Sequence, residues 1–404
     1  ASKQSRIANA WKKWQGESLG IQRTGGIARK QAFEAEFNEQ LIGNPEWKAE
    51  YGDILPAFSR LYAELEPYAI THDYVTEITY RNIELFQLIN RLYSYYQIYE
   101  NNGLEAVKQR IDRLTAMLES FYKDYRPEID QEVAAALLAT YFQQVADGHQ
   151  SPYAVDQAVY AGKNYAALAQ LIYEKSFLTK SEVALNLLAQ NPEGFFRQLA
   201  GDYAFEFVRN VITYNEEKVL VRYNEIQDRI DLLQRRYMEA LLTVFPDRRF
   251  YPDANSTLRV TYGQVKGYEP RDAIRYEFMT HLDGVMEKYV PGDYEFDVPD
   301  RLIELYRDQD YGPYADRNGK MPVCFIGTNH TSGGNSGSPA IDAYGNLIGL
   351  NFDRTWEGTM SDINYDPSIC RNIMVDIRYV LFLIDKFAGA SHLVEEMTLV
   401  HPKG

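Results

Sequence analysis

The sequence predicts an α+β protein in which an all-helical domain, residues 1–250, is followed by a small β-barrel domain, residues 251–404. Three observations support this prediction. Apolar residues recur at helical spacing through the first part of the chain, and short β-branched segments with glycine-containing turns fill the second. The length of 404 residues also exceeds what one hydrophobic core usually supports.

The helical domain is predicted from apolar stripes and from residues that start and stop helices. Two stripes recur at three- and four-residue steps: Leu104, Val107, Ile111, Leu114, Leu118 and Phe121, and then Ile129, Val133, Leu137, Tyr141 and Val145. Thr179 followed by Glu182 predicts a capping box that opens a helix, which Asn191-Pro192 closes. Phe245-Pro246-Asp247 ends the last long helix. No fixed-period repeat supports a helical array.

The β domain is predicted from segments rich in β-branched and aromatic residues. The first such segment is 257–268, and a buried strand follows at 322–327. Residues 340–341 and 347–352 are predicted to form a hairpin around a turn at 344–346. The last segment, 375–386, is predicted to run from a strand into a closing helix. The spacing of strands and turns is typical of a small barrel.

Composition and charge exclude several classes of function. The chain has 42 Lys and Arg against 57 Asp and Glu, a net charge of -15, which disfavours nucleic acid and anionic lipid as partners. No apolar run approaches the roughly 20 residues of a membrane-spanning helix, so we expect no membrane partner. The first residues show neither an initiator Met nor a signal peptide, which suggests that an upstream segment has been removed. Cys324 and Cys370 form either one disulfide or two thiols, and we expect no cofactor or metal.

One segment carries the features of covalent catalysis. Gly333-Gly334-Asn335-Ser336-Gly337-Ser338-Pro339 lies between a strand and a hairpin. A serine nucleophile needs an exposed hydroxyl, and the oxyanion that forms needs fixed backbone amides. Glycine at 334 and 337 permits a tight turn in which the amides of Gly334 and Ser336 point at one oxygen. The alternative is a glycine-rich surface turn without chemistry.

These residues resemble a known peptidase family. Gly-Asn-Ser-Gly-Ser-Pro is similar to the nucleophile motif of chymotrypsin-like peptidases, and the segments 328–333, 353–358, 361–366 and 375–380 resemble serine peptidase family 46. The resemblance covers nearly the whole chain. It implies a double β-barrel with an inserted helical domain that caps the active site and limits cleavage to dipeptides at a free amino terminus. This chain is then the helical domain and the second, chymotrypsin-like barrel.

The resemblance also implies roles for individual residues. Ser336 is the nucleophile, and the amides of Gly334 and Ser336 form the oxyanion hole. Asn9 and Asp353 match the positions that hold the substrate's ammonium group. Without the resemblance, the sequence would indicate that Asn9 is a solvated polar residue and that Asp353 belongs to a surface ion pair.

Arg354 indicates which branch of the family the chain resembles. Members that prefer an acidic penultimate residue carry Arg at this position, whereas members that prefer an apolar residue carry Gly. A guanidinium holds a carboxylate through two parallel hydrogen bonds, each worth about 1.5 to 3 kcal/mol. Asp353 and Arg354 are neighbours on a strand end, where successive side chains point to opposite faces, so they can serve different subsites. For Arg354, too, the alternative is a surface ion pair.

The catalytic base is the missing component. In the resembled family, the His and Asp of the triad lie upstream of the helical insertion, so the resemblance implies that this chain alone is inactive and needs the amino-terminal part of the same protein. We assign no base among His72, His149, His281, His392 and His401. His330, six residues before Ser336, either adds positive character to the specificity pocket or is a hydrogen-bonded structural residue.

The resemblance further implies a homodimer at the periplasm or cell surface of a Gram-negative bacterium, acting on peptides with a free amino terminus. Two other functions remain open. One is a glutamyl endopeptidase, which shares the Gly-Asn-Ser-Gly-Ser-Pro motif but has no need of a large helical domain. The other is a non-catalytic helical peptide-binding module attached to a peptidase-like barrel.

Overall fold

The structure, a computed structural model, describes residues 2–250, 255–293 and 295–400. It divides into two compact units. Leu41–Pro246 form the helical unit, and the described residues on either side, up to Gln40 and from Asp247 onward, form the sheet unit.

The helices are α1 Ser2–Thr24, α2 Gly26–Gly43, α3 Pro45–Tyr51, α4 Ile54–Thr76, α5 Glu84–Lys108, α6 Ile111–Asp124, α7 Pro127–Gln144, α8 Pro152–Tyr160, α9 Tyr165–Glu174, α10 Ser181–Gln190, α11 Pro192–Ala200, α12 Tyr203–Tyr214, α13 Leu220–Val244, α14 Asp283–Lys288, α15 Asp300–Asp308, α16 Ile377–Phe382 and α17 Ser391–Glu395. π-helical turns at Glu77–Asn82, Asn215–Val219 and Leu383–Phe387 continue α4, α12 and α16. The predicted helical character of the first 250 residues is confirmed, and α13 ends at Val244, just before Phe245-Pro246.

The first predicted stripe is confirmed; the second is confirmed at Tyr141 and Val145, but its earlier positions are shifted by one residue. Leu114 and Leu118 of α6 are fully buried. On α7, however, Ile129 and Val133 are exposed. The buried face of α7 is instead formed by Asp130, Ala134, Leu138 and Tyr141. The shift was not predictable from hydrophobicity because a carboxylate starts the buried face.

Asp130 is buried because it caps a neighbouring helix. Its Oδ1 accepts a hydrogen bond from the Glu84 amide at 2.7 Å, and its Oδ2 accepts from the Leu85 amide at 2.8 Å and from the Tyr173 hydroxyl at 2.5 Å. These two amides are the first of α5, whose own N-cap residue, Ile83, offers no side-chain acceptor. Burial raises the pKa of the Asp130 carboxyl, although the three hydrogen bonds oppose this shift.

The predicted capping box at Thr179 is wrong. α10 begins at Ser181 after Lys180, and no side chain caps it. The Thr179 hydroxyl donates instead to the carbonyl oxygens of Tyr173 and Ser176, because residues 177–179 form a 3₁₀ turn. Asn191 does end α10, and its side chain also caps the next helix by accepting from the Gly194 amide at 2.9 Å.

The strands of the sheet unit are β1 Tyr268–Arg271, β2 Ile274–Tyr276, β3 Met279–His281, β4 Pro322–Gly327, β5 Pro339–Ile341, β6 Leu347–Arg354 and β7 Asn372–Asp376. β1 and β2 form a two-stranded sheet, and the other strands form a five-stranded antiparallel sheet in the order β3-β4-β7-β6-β5. The hairpin, the buried strand and the strand that runs into a helix are therefore confirmed. Closure of this sheet into a barrel stays a prediction.

The segment 257–268 differs from its prediction. Before β1 it contains only the isolated bridge between Val265 and Gly327, and its exposed side chains include Leu258 and Tyr262. A Cβ at position 263 would lie 2.6 Å from the Asn329 amide nitrogen, so this glycine permits a close approach of two backbones. The described part of this segment is extended but only briefly paired.

The first 40 residues group with the sheet unit, whereas the sequence placed them in the helical domain. α1 packs on the turn Trp356–Asp362 that follows β6. A Cβ at position 16 would lie 2.0 Å from the Trp356 carbonyl oxygen, and one at position 20 would lie 2.3 Å from Met360 Cγ. Gly16 and Gly20 thus form a smooth strip on α1 that lets the helix lie against this turn. The other end of the helical unit, Pro246, is close to the predicted boundary at 250.

None of the helices in the described residues is both long and apolar enough to cross a membrane.

Candidate active site

Ser336 lies in the loop between β4 and β5, and it is exposed. The glycines near it on either side have positive φ angles, 98° at Gly334 and 81° at Gly337. This is a backbone conformation that residues with a Cβ rarely adopt, so both positions favour glycine. The conformation agrees with the tight turn predicted from the motif.

Asn335 holds the Ser336 loop in place. Its Oδ1 accepts hydrogen bonds from the Ser332 amide at 3.0 Å and from Arg259 Nη2 at 3.1 Å. Its carbonyl oxygen accepts from Asn351 Nδ2 at 3.2 Å, and Asn351 Oδ1 accepts in turn from Asn372 Nδ2 at 2.9 Å. The loop is therefore tied to both β6 and β7.

The amides of Gly334 and Ser336 are among the backbone donors that the loop leaves available. The amide of Gly337 donates to the Asn351 carbonyl oxygen at 2.7 Å, and that of Ser338 donates to the Asn335 carbonyl oxygen at 3.0 Å. The amides of Gly334 and Ser336 have no acceptor within the described part of the chain. Polar groups of a fixed loop that lack a protein partner are suited to bind a ligand or water. These are the two amides predicted to form the oxyanion hole.

Arg354, the last residue of β6, lies close in the sheet to the Ser336 loop, because the amide of Gly337 pairs with Asn351. Its side chain is only 18% exposed. Nη1 donates to Ser361 Oγ at 2.7 Å and to Asp362 Oδ2 at 3.0 Å. Within the described residues, Nε and Nη2 have no acceptor. The guanidinium is thus held on one side and available on the other.

A small cavity surrounds this guanidinium. It holds about 180 Å³, counting the part that opens to solvent. It is lined by Asn329, His330, Thr331, Arg354, Gly358, Ser361, Tyr365, Cys370, Arg371 and Asn372.

Arg371 adds a second cation to the wall of this cavity. It is only 3% exposed, and it donates to four carbonyl oxygens, those of Lys266, Gly267, Pro367 and Cys370. No carboxylate in the described chain lies within ion-pair distance of it. Burial lowers the pKa of Arg371, which nevertheless stays a cation at neutral pH. The cavity therefore has a positive potential that favours an anionic group.

His330 also lines the cavity. Its Nε2 donates to the Ser361 carbonyl oxygen at 3.1 Å, and its ring lies 4.9 Å from that of Tyr365. His330 therefore helps to position the residue that anchors Arg354. His330 therefore lines a pocket, as its spacing from Ser336 predicted. It also makes a hydrogen bond, as expected if its role is structural.

Asp353 and Asn9 are both exposed. The Asp353 carboxylate forms no ion pair with the Arg354 guanidinium. Its Oδ1 accepts from the Arg354 backbone amide at 2.7 Å, and a register shift of β6 lies between Asn351 and Asp353. Asn9 lies on α1, about two turns before Gly16. No side-chain hydrogen bond joins Asn9 to the other predicted site residues within the described chain, so its role stays a prediction.

The described histidines do not supply a base beside Ser336. His281 Nε2 lies 3.1 Å from Asp316 Oδ2, which resembles part of a triad. However, His281 is on β3 and Ser336 precedes β5, at opposite ends of the five-stranded sheet. His281 is paired with Asp316 and makes no hydrogen bond to Ser336 within the described chain. His72 and His149 lie in the helical unit, and His401 lies outside the described residues.

Both cysteines are free thiols. Cys324 lies on β4, and Cys370 lines the cavity with its thiol 3.7 Å from Met360 Sδ. Burial raises the pKa of each thiol, so both are protonated at neutral pH. Among the described residues, no cluster of three or more His, Cys, Asp or Glu residues could hold a metal.

Several site residues were not identified from the sequence. Arg259 anchors the Ser336 loop, Ser361 and Asp362 anchor Arg354, and Arg371 lines the cavity. In the sequence, the segment 361–366 is marked only by its resemblance to the family. Nothing in the local sequence indicates that Ser361 and Asp362 meet Arg354, because the contact depends on the turn Trp356–Asp362.

Comparison with known proteins identifies a family and two groups of relatives. The Peptidase S46 family model matches residues 1–399. An Asp/Glu-specific dipeptidyl-peptidase of Flavobacterium psychrophilum is 49% identical over 403 residues, which cover 100% of this chain and 55% of that protein. A dipeptidyl-peptidase 7 of Phocaeicola vulgatus is 35% identical, over 99% of this chain and 55% of that protein. The chain thus spans about half the length of the curated relatives it matches.

Solved structures give the same relationship. The crystal structure of Porphyromonas endodontalis DPP11 superposes with a TM-score of 0.78 at 32% identity, covering 99% of this chain and 57% of that one. The same protein has been solved in complex with the dipeptides Arg-Glu and Arg-Asp. The likeness extends through both the helical and the sheet units.

Proposed function

This chain belongs to the Peptidase S46 family, and from that premise we propose that the complete protein is a serine exopeptidase that releases dipeptides ending in Asp or Glu. The observation that carries the proposal is the position of Arg354. Its largely buried guanidinium lies in a small cationic cavity beside the Ser336 loop, with two donor nitrogens available. A bidentate carboxylate is the ligand that best fits such a donor pair.

The proposed reaction begins at the Ser336 hydroxyl. Its oxygen attacks the carbonyl carbon of the second residue of the peptide, and its proton passes to a base. The amides of Gly334 and Ser336 stabilise the oxyanion that forms. The peptide nitrogen leaves with a proton from the base, and water then hydrolyses the acyl-enzyme on Ser336. We propose that the amino-terminal part of the same protein supplies the His and Asp, since the described histidines lie elsewhere.

In this proposal, one set of residues binds the acidic side chain of the substrate and another binds its ammonium group. Arg354, supported by Arg371, binds the acidic side chain of the second residue. Asp353 and Asn9 bind the ammonium group of the first residue and thereby select peptides with a free amino terminus. Asp353 suits this role because it is exposed and forms no ion pair within the described residues. A cation and an anion that serve separate subsites orient the peptide in one direction.

The relatives support the same class of substrate. An Asp/Glu-specific dipeptidyl-peptidase is 49% identical to this chain, against 35% for a dipeptidyl-peptidase 7. We also propose, from the family resemblance, that the sheet unit is the second barrel of a chymotrypsin-like pair. A homodimer at the periplasm or cell surface completes this proposal.

A test of the nucleophile uses the complete protein. We expect a fluorophosphonate probe to label the wild type and not Ser336→Ala, and the same change to lower kcat for an Asp-ending dipeptidyl substrate by at least about 10³-fold. Ser338→Ala is the control, because it removes a neighbouring hydroxyl from the same loop. Labelling that persists in Ser336→Ala would contradict the proposal.

A second test separates this function from a glutamyl endopeptidase. An acetyl group on the substrate's first residue removes the ammonium charge but leaves the scissile bond unchanged. We expect the acetylated peptide to resist cleavage and the free peptide to release its dipeptide. Equal cleavage of both peptides would favour the endopeptidase.

A further inference from the structure

We infer that Asp362 is a counter-ion of Arg354 and that it competes with the acidic side chain of the substrate, which makes it a specificity-determining residue. The inference rests on the proposed function, because it concerns the same guanidinium. Arg354 Nη1 has two acceptors of different charge. This nitrogen donates both to a neutral hydroxyl, Ser361 Oγ, and to a carboxylate, Asp362 Oδ2.

The two anchors of Nη1 differ in burial. Ser361 is 6% exposed, and its carbonyl oxygen is further held by His330, so its hydroxyl has a fixed position. The Asp362 side chain is 56% exposed. A carboxylate that is half in solvent can turn away from its partner at little cost, since exposed ion pairs contribute little to stability. Ser361 is therefore the permanent anchor, and Asp362 is a displaceable one.

The charges around the cavity give Asp362 its effect. Arg354 and Arg371 bring two cations to the cavity wall. Asp362 is the carboxylate that the described structure places within ion-pair distance of Arg354. Burial raises the pKa of both Tyr365 and Cys370, so these two side chains remain neutral. Asp362 thus offsets much of the attraction that Arg354 would exert on a second carboxylate.

An acidic and a neutral substrate therefore meet this pair differently. The carboxylate of a bound Asp or Glu accepts hydrogen bonds from the available nitrogens of Arg354 and repels the Asp362 carboxylate, which moves into solvent. An Asn or Gln side chain carries no charge and leaves the Arg354–Asp362 pair intact. Asp362 accordingly lowers the affinity for acidic substrates and for the dipeptide product, while it keeps the guanidinium paired between turnovers.

The test compares two changes at the same nitrogen in the complete protein. Asp362→Asn retains an acceptor for Nη1 but removes the charge, whereas Ser361→Ala removes the neutral anchor. For a substrate with Asp as the second residue, we expect Asp362→Asn to lower both KM and the product inhibition constant about twofold to fivefold. We expect Ser361→Ala to raise the same KM. For the matched substrate with Asn, we expect Asp362→Asn to change KM less than twofold.

Asp272→Asn is the charge-matched control. It lies in an exposed turn of the sheet unit and makes no ion pair within the described residues, so its KM should equal that of the wild type. An unchanged or higher KM for the Asp substrate in Asp362→Asn would overturn the inference. If the wild type does not prefer Asp over Asn at all, the proposed function itself fails. If the preference is present but Asp362→Asn does not alter it, only the role of Asp362 is rejected.

Discussion

The buried carboxylates of the helical unit and the hydrogen-bond donors of the candidate site differ in whether they have a partner. In the helical unit, the buried carboxylate of Asp130 accepts three hydrogen bonds, and that of Asp202 accepts from the amides of Phe177 and Phe205. In the sheet unit, the amides of Gly334 and Ser336 and two nitrogens of Arg354 have no acceptor among the described residues. Saturated polar groups hold elements together, whereas fixed donors without a partner suit a ligand. The comparison separates structural from functional polar groups without reference to relatives.

The largest stability effect should follow from breaking the saturated carboxylate. Asp130→Ala leaves two helix amides and the Tyr173 hydroxyl without an acceptor in the interior, which should cost about 3 to 5 kcal/mol of unfolding free energy. Urea unfolding followed by far-ultraviolet circular dichroism measures this loss. Glu128→Ala, at an exposed position in the first turn of the same helix, should cost less than about 1 kcal/mol. Equal losses for the two variants would contradict the claim that the hydrogen bonds of Asp130 stabilise the helical unit.

A smaller effect is expected where α1 lies on the turn after β6. Gly16→Ala places a Cβ against the Trp356 carbonyl oxygen and should cost about 1 to 3 kcal/mol. In Gly284→Ala the new Cβ meets nothing within 4 Å, so this helical control should be neutral or stabilised by up to about 1 kcal/mol. Thermal unfolding of both variants measures the difference. Because the turn contains Ser361 and Asp362, Gly16→Ala should also weaken binding of an acidic dipeptide. If Gly16→Ala behaves like Gly284→Ala, the packing of α1 has no energetic role.

The smallest effect is a pH dependence in the helical unit. Burial raises the pKa of Asp130 in the folded state above its ordinary value of 3.8, so the folded state binds this proton more tightly than the unfolded state. The contribution of Asp130 to stability is therefore highest below that value and decreases as pH rises through the raised folded pKa. The change is about 1.4 kcal/mol for each unit of pKa difference.

Asp130→Asn cannot titrate, and it isolates this contribution. The difference in unfolding free energy between wild type and Asp130→Asn should shift against the wild type as the pH is raised from about 4. Urea titrations at a series of pH values measure it. A difference that stays constant with pH, or that shifts in favour of the wild type, would contradict a raised pKa.

Much of the fold was predictable because its signals are local. Helical periodicity, the hairpin and the glycines around Ser336 each depend on residues close together in sequence. The buried face of α7 was missed because Asp130 looks like a surface residue until its donors, from α5 and Tyr173, are known.

The candidate site divides in the same way. Ser336 and Arg354 were identified because a motif and a family resemblance mark them. Asp362 and Arg371 were missed because their roles depend on a turn and on four backbone carbonyls that only the fold brings together. Similarly, the close packing of Gly16 and Gly20 could not be predicted, because it depends on the turn Trp356–Asp362, which is distant in sequence.

The most direct test of the account is the selectivity of the complete protein for its second residue. The measurement is the ratio of kcat/KM for two dipeptidyl substrates that differ only in Asp against Asn, in the wild type and in Arg354→Gly. We expect the variant to lower kcat/KM for the Asp substrate, and with it the ratio, about a hundredfold, on the order of 3 kcal/mol, because the neutral substrate loses no charge-assisted hydrogen bond. A ratio that Arg354→Gly leaves unchanged would contradict the claim that this guanidinium selects acidic peptides.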